Sequence, residues 1–491
     1  MVEHIDEEIH IHHKDQVHVK IECDDGLARE MSEYFTFYVP GYKFMPTYKN
    51  KLWDGKIRLF NQATRLIYRG LISQIKRFGQ SRGYKIITHD DLDDTNDVSL
   101  PEVKEFFSDL KITPRDYQYR AFAYAIRNSR GVILSPTASG KSLIIYMICR
   151  WMKGRKLIIV PTTSLVHQME SDFVSYGHSK YTHKIMAGQE KNAEAEIFVS
   201  TWQSIYKQSK KWFDQFDVVI GDEAHLFKAQ SLTRILTKLE NCQYRYGFTG
   251  TLDETKTHRL VLEGLFGPVM RAVQTKELIE NKTLADFRIK CLVLKYPDNL
   301  RKEIAKSKYQ DEMEFLISSK PRNNFIKNLA ISRTGNTLLL FQLVEKHGRI
   351  LYDDINSSVK NRKVFFVFGG VDAETREEIR AITEKETDAI IVASYGTFST
   401  GINIKALHNI IFASPAKSRI RNLQSIGRGL RRSDSKKSAT LYDISDDLCW
   451  KTYNNHTLKH FAYRLKLYRE EEFPFTLYNI RLNYDTHTQI I

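Results

Sequence analysis

The chain has 491 residues, of which 42% are apolar, so it is long enough to fold into several domains with buried cores. Its formal net charge of +15 and pI of about 9.3 favour a polyanionic partner. Five dispersed cysteines exclude a disulfide-rich secreted scaffold, and no apolar run approaches membrane-spanning length, so we expect a cytoplasmic protein without a membrane partner.

Residues 1–97 are predicted to form a small α+β domain. Apolar and polar residues alternate over residues 9–21, as in a half-exposed hairpin. Asp24 is placed to cap a following helix, Asp54-Gly55 predicts a hairpin turn, and Gly79 is expected to end a later helix.

The second half of this domain is basic and aromatic. Residues 40–85 hold eleven Lys and Arg side chains against a single acid, Asp54, with aromatic rings between them. Cations bind phosphates and rings can stack on exposed bases, although the same residues could supply only a core and a solvated face. The predicted nucleic-acid contacts here are Lys51, Trp53, Lys56 and Arg58.

Several histidines fall in the alternating N-terminal pattern, namely His4, His10, His12, His13 and His18. They have no Cys partners and no helical His-x-x-x-His spacing. We interpret them as exposed hairpin residues and not as metal ligands.

The centre of the chain carries a phosphate-binding motif. Residues 135–142, Ser-Pro-Thr-Ala-Ser-Gly-Lys-Ser, follow an apolar run and precede a helical pattern. Backbone N–H groups in such a loop, with the helix N-terminus, bind the phosphates of ATP. Lys141 is expected at the terminal phosphates and Ser142 at Mg²⁺. The other expected loop ligands are Thr137, Ser139 and Gly140.

An acidic pair follows the apolar run of residues 218–221. The carboxyl edge of a parallel sheet is where open α/β folds bind their ligands. We expect Asp222 to hold Mg²⁺ with Ser142, and Glu223 to orient and deprotonate the water that attacks the γ-phosphate.

The strand pattern indicates an α/β fold with two successive parallel sheets after the small N-terminal α+β domain. The predicted strands are 132–135, 157–161, 197–201, 218–221 and 246–249, then 338–341, 364–368, 389–393, 409–413 and 440–444. The corresponding domains are 1–97, 98–288 for the ATP-binding motor, 289–445 for the second motor, and 446–491.

Arg428 and Arg431 are three residues apart in the second predicted sheet, so on a helix they share one face. Guanidinium groups suit the charge that develops in phosphoryl transfer. We therefore expect ATP between the two motor domains, where its hydrolysis would change their separation.

Taken in order, these motifs resemble the series of superfamily 2 helicases over about residues 112–445. Within that superfamily the chain resembles the UvsW-type DNA helicases of large tailed phages, and the likeness includes residues 50–59, 216–225 and 394–402. If the protein is phage-encoded, it is expected in the host cytoplasm.

The resemblance implies two tandem RecA-like parallel-sheet motor domains, with a short C-terminal helical segment after them. It also implies roles for further residues. Arg115 and Gln118 would recognise the adenine end of ATP, and Gly401 would border the nucleotide cleft. Asn403 replaces the Asp common in this superfamily, so no ribose contact is implied there. The residues implied to lie near the nucleic-acid backbone are Thr163, Thr201 and Thr400, and those implied to connect the two sites are Thr249 and Thr251.

The resulting hypothesis is an ATP- and Mg²⁺-dependent DNA helicase or translocase. Its expected substrates are forks, Holliday junctions and R-loops, the last with an RNA strand, in recombination, repair and replication. An RNA helicase shares all the motor motifs and stays open as an alternative. A non-catalytic annealing or clamping protein is disfavoured by the full catalytic set, and a restriction-type motor subunit by the lack of a recognisable nuclease cluster.

Overall fold

A computed structural model describes residues 8–89, 92, 97–252, 256–401, 404, 406–414, 426–427, 436 and 438–484. Within this part of the chain there are two seven-stranded parallel sheets and a smaller five-stranded sheet, which confirms the predicted fold class. The chain divides into two compact units, Met1–Ser135 with Gly140–Val273 and Pro136–Ser139 with Gln274–Ile491. No helix in the described ranges has the length and apolar character needed to cross a bilayer.

The five-stranded sheet belongs to the N-terminal segment and has the strand order β5-β6-β2-β1-β7. Ile9 and Ile11 face its core, and β1 and β2 pair antiparallel, as the hairpin prediction requires. Asp24 caps α1 as predicted, with Oδ1 accepting the N–H groups of Gly26 at 2.7 Å and Leu27 at 3.0 Å. The elements are β1 Glu8–His13, β2 His18–Glu22, α1 Asp25–Tyr34, β3 Thr36–Tyr38, α2 Pro46–Lys49, β4 Lys56–Arg58, β5 Phe60–Asn61, β6 Leu66–Tyr68, α3 Ile72–Gln80 and β7 Lys85–Thr88.

Two turn predictions in this segment are wrong. Asp54-Gly55 does not join two adjacent strands, because β4 pairs with β3 and the residues before Gly55 are not in a strand. Local hydrogen bonds to Lys56 explain this: its N–H donates to Asp54 at 3.1 Å, and its carbonyl accepts the Trp53 ring N–H at 2.9 Å. Gly79 lies inside α3, where a Cβ would stand 2.3 Å from the Cδ1 end of the Ile86 side chain, so the glycine lets Ile86 pack closely on the helix.

The first unit contains a parallel sheet of order β10-β11-β9-β12-β13-β8-β14. Strands β8, β9, β11 and β12 are buried along their whole length, which explains their continuous apolar sequences. The elements are α4 Leu100–Phe106, α5 Asp116–Asn128, β8 Arg130–Leu134, α6 Lys141–Trp151, β9 Lys156–Val160, α7 Thr163–Ser175, β10 Thr182–Ile185, β11 Ile197–Thr201, α8 Trp202–Ile205, α9 Lys210–Phe213, β12 Val218–Asp222, α10 Gln230–Lys238, β13 Tyr244–Thr249, α11 Lys256–Phe266 and β14 Val269–Arg271.

The N-terminal segment packs against α11 of this unit. One hydrophobic core contains residues of both, from Ile9 to Phe266. Gly70 lies so close to α11 that a Cβ would stand 2.0 Å from the carbonyl oxygen of Glu263. Gln74 also donates to the Glu263 carboxylate at 2.9 Å. The small domain is therefore held against the first parallel sheet by both apolar and polar contacts.

The second unit contains the other parallel sheet, of order β17-β18-β16-β19-β20-β15-β21. The predicted C-terminal helix is present in this unit. After it the chain forms β21, an edge strand paired with β15. The elements are α12 Thr275–Glu280, β15 Asp286–Lys295, α13 Asp298–Ile304, α14 Tyr309–Ser318, α15 Lys320–Ser332, β16 Thr337–Phe341, α16 Arg349–Ser358, β17 Val364–Val367, α17 Ala373–Lys385, β18 Ile390–Ser394, α18 Tyr395–Gly401, β19 Asn409–Phe412, β20 Ser438–Asp447, α19 His456–Glu470 and β21 Phe475–Arg481. The four-domain division stays a prediction.

Candidate active site

The predicted phosphate loop leaves the carboxyl end of β8. The N–H of Ser135 donates to the carbonyl of Thr249 on β13 at 2.9 Å, which fixes the base of the loop. Ala138 and Gly140 have positive φ values of 66° and 80°, so the chain turns sharply before α6 begins at Lys141. The N-terminus of α6 therefore adjoins the loop, and the N–H groups of Lys141 and Ser142 at its start suit an anion. For Thr137 and Ser139, binding to ATP stays a prediction.

Gln118 supports this loop from α5. Its side chain is only 2% exposed and donates to the carbonyl of Gly140 at 3.3 Å, while its own amide oxygen accepts the N–H of Arg115 at 2.8 Å. A Cβ at Gly140 would stand 2.5 Å from this amide, so glycine is needed for packing as well as for φ. The structure thus brings Gln118 to the loop, and the adenine contact of Arg115 and Gln118 stays a prediction.

The acidic pair lies at the carboxyl end of β12, next to the start of α6. Glu223 has φ 51° and ψ 50°, a left-handed conformation that is costly for a residue with a side chain. Its N–H donates to the Asp222 carboxylate at 2.9 Å. Its own carboxylate lies 3.8 Å from the Lys141 ammonium group. The strained backbone therefore turns the Glu223 carboxylate toward Lys141, the residue predicted to bind the terminal phosphates.

The two carboxyl groups of Asp222 and Glu223 lie beside a single ammonium group, that of Lys141. The pKa of Asp222 is raised to about 6 because burial disfavours the carboxylate and the Glu223 charge repels it, while Lys141 acts in the opposite direction. A divalent cation would relieve both unfavourable effects, and carboxylate oxygens suit Mg²⁺. Asp222 thus fits the predicted metal role.

Ser142, the other predicted Mg²⁺ ligand, contacts the hydroxyl of Tyr176 at 2.8 Å. When Ser142 donates in this bond, its lone pairs stay available for a cation. Tyr176 follows α7 and carries no motif, so the sequence did not identify it. Its contact sets the direction of the Ser142 hydroxyl, and the Mg²⁺ role stays a prediction.

A polar chain connects Glu223 to the Thr249–Thr251 motif. His225 Nδ1 lies 3.3 Å from the Glu223 carboxylate and 3.0 Å from Thr249 Oγ1. Because Thr249 donates onward to the carbonyl of Thr251 at 2.8 Å, its oxygen accepts from His225. A displacement of Glu223 would therefore be felt two residues beyond β13, which supports the linking role of this motif.

The predicted backbone-binding threonines differ in accessibility. Thr163 is exposed at the start of α7, whereas Thr201 is 5% exposed and its hydroxyl contacts Ser204 at 2.9 Å. Both follow neighbouring strands, so they share the carboxyl edge of the sheet. Thr400 and Gly401 lie in α18. Arg428 and Arg431 lie outside the described residues, and their role stays a prediction.

The four N-terminal residues predicted to contact nucleic acid lie on or before β4, in a lobe of residues 36–58 that contains the two-stranded sheet β3-β4. Lys51 is exposed, and Lys56 lies 5.0 Å from the centre of the Tyr38 ring. Trp53 is partly buried, and Arg58 pairs with Asp54. The lobe also exposes Phe44 at 79%, one of the aromatic residues between the predicted cations, and Leu52 at 78%, an apolar side chain that sequence reasoning did not select.

Comparisons with known proteins cover the whole chain. Residues 8–89 match the family described as DNA helicase UvsW, N-terminal, and residues 111–254 match Type III restriction enzyme, res subunit. The ATP-dependent DNA helicase uvsW of Enterobacteria phage T4 is 34% identical, over 97% of this chain and 100% of the phage protein. The crystal structure of T4 UvsW matches with a TM-score of 0.52 at 33% identity, over 97% of this chain and 100% of that chain. The DNA 3'-5' translocase XPB2 of Sulfurisphaera tokodaii is 25% identical, over 68% of this chain and 82% of the archaeal protein.

Loss of either charged group at the centre of the site should stop ATP turnover. We expect Lys141→Ala and Glu223→Gln to lower the steady-state ATPase rate by at least about 100-fold, because each removes a group positioned for charge stabilisation or proton transfer. Circular dichroism and thermal melts should stay as in the wild type. Lys153→Ala, at an exposed lysine just beyond α6, is the matched control. Wild-type hydrolysis in either test variant would refute the assignment.

The raised pKa of Asp222 predicts a pH dependence. A carboxyl group with a pKa near 6 loses its charge as the pH falls through that value, so at limiting Mg²⁺ the kcat/KM for ATP should fall over the same range. Saturating Mg²⁺ competes with the proton and should move this acid limb to lower pH. An acid limb that stays at one pH at all Mg²⁺ concentrations would show that Asp222 is not the metal-linked group.

Proposed function

The chain belongs to the UvsW-type ATP-dependent DNA helicases of superfamily 2, and on this basis we propose that it remodels branched DNA. The proposed substrates are forks, four-way junctions and R-loops, in recombination, repair and replication within the host cytoplasm. The observation that supports branched DNA is the surface of the lobe of residues 36–58, which combines exposed lysines with exposed apolar side chains.

The chemistry of such a lobe suits a junction. At a branch point, bases lose a stacking neighbour and present apolar faces, next to converging phosphate backbones. Phe44 offers a ring for stacking, and Leu52 offers an apolar surface. Lys51, beside Leu52, offers a cation for a phosphate. Linear duplex DNA hides its base faces and would use only the cation.

ATP hydrolysis is assigned to the site around Glu223. We propose that this carboxylate orients the attacking water and accepts its proton, and that Lys141 neutralises charge on the terminal phosphates. Mg²⁺, held by Asp222 and Ser142, would neutralise further phosphate charge. Arg428 and Arg431 are proposed to stabilise the charge that develops in phosphoryl transfer.

Coupling to DNA is proposed to start at the same carboxylate. Glu223 contacts both Lys141, at 3.8 Å, and His225, at 3.3 Å. Phosphates would attract Lys141 away from Glu223, which changes the charge that His225 faces. His225 bonds to Thr249, so this change reaches the edge of the sheet that carries Thr163.

The substrate proposal is tested by steady-state ATPase assays with different nucleic acids. With Mg²⁺ present, we expect stimulation in the order four-way or forked DNA, then single-stranded DNA, then linear duplex, and little from single-stranded RNA. Equal stimulation by linear and branched DNA would contradict the branched preference. Stimulation by RNA alone would favour an RNA helicase, and no turnover with any nucleic acid would favour a binding module.

The lobe itself is tested by substitution of its exposed apolar side chains. Base–aromatic stacking contributes about 1–3 kcal/mol, so Phe44→Ala combined with Leu52→Ala should weaken binding of forked DNA about tenfold or more. ATPase activity without DNA should not change. Tyr463→Ala, which removes a 54% exposed ring from α19, is the matched control. Fork binding at wild-type strength in the double variant would exclude stacking by the lobe.

A further inference from the structure

Three histidines meet on the outer face of the N-terminal sheet. His10 and His12 are two residues apart on β1, so they share the face opposite to the buried Ile9 and Ile11. His89 follows β7, the parallel neighbour of β1, and its N–H donates to the carbonyl of Ile11 at 3.0 Å. The backbone pairing therefore places His89 beside the other two.

The spacing of the ring nitrogens fits a metal ion. His10 Nδ1 and His89 Nε2 are 2.9 Å apart, and one nitrogen from each of the three rings lies within 4.8 Å of the others. Zinc–nitrogen bonds are about 2.0–2.1 Å long, so two nitrogens in a tetrahedral shell stand about 3.3 Å apart. Only small movements would bring the three nitrogens to this spacing.

The rings must rotate to bind, because each lone pair lies in its ring plane. His12 and His89 stack with centroids 4.3 Å apart and an interplanar angle of 11°, so their lone pairs do not yet converge. Rotation about the Cβ–Cγ bond is the soft torsion of histidine, and it leaves the paired backbone in place. The sheet thus fixes the positions of the ligands and leaves the ring orientation to the ion.

Two carboxylates already hold the opposite ring nitrogens. Glu8 lies 3.1 Å from His10 Nε2, and Glu22 lies 3.0 Å from His12 Nε2. Each carboxylate can accept the Nε2 proton, which leaves the ring lone pair on Nδ1. At His10 this nitrogen lies 2.9 Å from His89 Nε2, and a cation would replace the hydrogen bond between them. Protein metal sites commonly combine a carboxylate, a histidine and a metal in this way.

Neighbouring histidines on the same hairpin have other partners. His13 Nδ1 lies 2.9 Å from an Arg69 guanidinium nitrogen, and His18 lies 3.6 Å from Asp15. The three-histidine arrangement is therefore not shared by every histidine of the hairpin.

We propose that His10, His12 and His89 bind a divalent transition metal ion of the Zn²⁺ type. Imidazole ligands select zinc, cobalt, nickel and copper over Mg²⁺, so this site differs in chemistry from the carboxylate site at Asp222. Three protein ligands leave a fourth position for water. The ion would join β1 to the end of β7, an edge strand of the sheet, and would stabilise that edge.

Metal titration of the full-length protein tests this. After treatment with a chelator, Zn²⁺ binding is measured by calorimetry and Co²⁺ binding by its visible absorption. We expect His12→Gln and His89→Gln each to weaken binding at least tenfold, and Glu22→Gln to weaken it about tenfold. His13→Gln, on the same strand, should bind as the wild type. Hydrogen exchange at saturating Zn²⁺ should show protection of β7 in the wild type and in His13→Gln, and none in His12→Gln or His89→Gln.

Two results would overturn the proposal. One is the absence of saturable Zn²⁺ binding by the wild-type chain when circular dichroism shows it to be folded. The other is Zn²⁺ binding of equal affinity in the wild type, His12→Gln and His89→Gln. Because these side chains lie on the outer face, Gln at either position should leave the fold intact, and Glu22→Gln gives a second variant that retains all three ligands.

Discussion

The contact between Lys141 and the half-buried Glu223 carboxylate, next to the buried Asp222, is the interaction on which the candidate ATP site depends. Burial raises the pKa of Asp222, and Glu223 occupies a left-handed backbone conformation, so the arrangement carries an energetic cost. The packing of the surrounding parallel sheet offsets that energetic cost, because β12 is buried along its whole length. A site with excess negative charge beside one ammonium group is suited to bind a metal–nucleotide pair.

The same sheet determines where the N-terminal domain lies. Its core is continuous with that of the first parallel sheet, and Gly70 meets the backbone of α11 without space for a side chain. A DNA helicase of this family must relate its DNA contacts to its ATP site. Here the lobe of residues 36–58 belongs to the same compact unit as Lys141 and Glu223. Movement of the ATP-binding sheet would therefore carry the lobe with it.

Buried ion pairs organise the second unit. Arg322 makes two hydrogen bonds to Asp446, at 2.8 and 3.0 Å, and Arg464 bonds to Asp443, both pairs being almost inaccessible to water. Both acids lie on β20, so the pairs attach α15 and α19 to the sheet. A buried pair adds little net stability but is costly to break, so it favours one arrangement of helix on sheet. The C-terminal helix is thereby part of the core of this unit.

The sequence by itself determined the two parallel sheets, the phosphate loop and the acidic pair. Strands buried on both faces need continuous apolar sequences, and phosphate binding needs a glycine-containing turn before a helix, so both leave local patterns. Of the fourteen strands in these two sheets, β10, β14, β15 and β21 were not predicted. β14 has three residues and β21 is mostly exposed, so neither has an apolar run.

Only the tertiary structure decided which distant side chains meet. Tyr176 beside Ser142, the partners of Asp443 and Asp446, and His89 beside His10 and His12 all depend on strand order and helix packing. The spacing of His10 and His12 was visible within one predicted strand. His89, the third proposed ligand, is more than seventy residues further along the chain. Contacts of this kind arise from parallel pairing across long connections, which no local pattern of residues records.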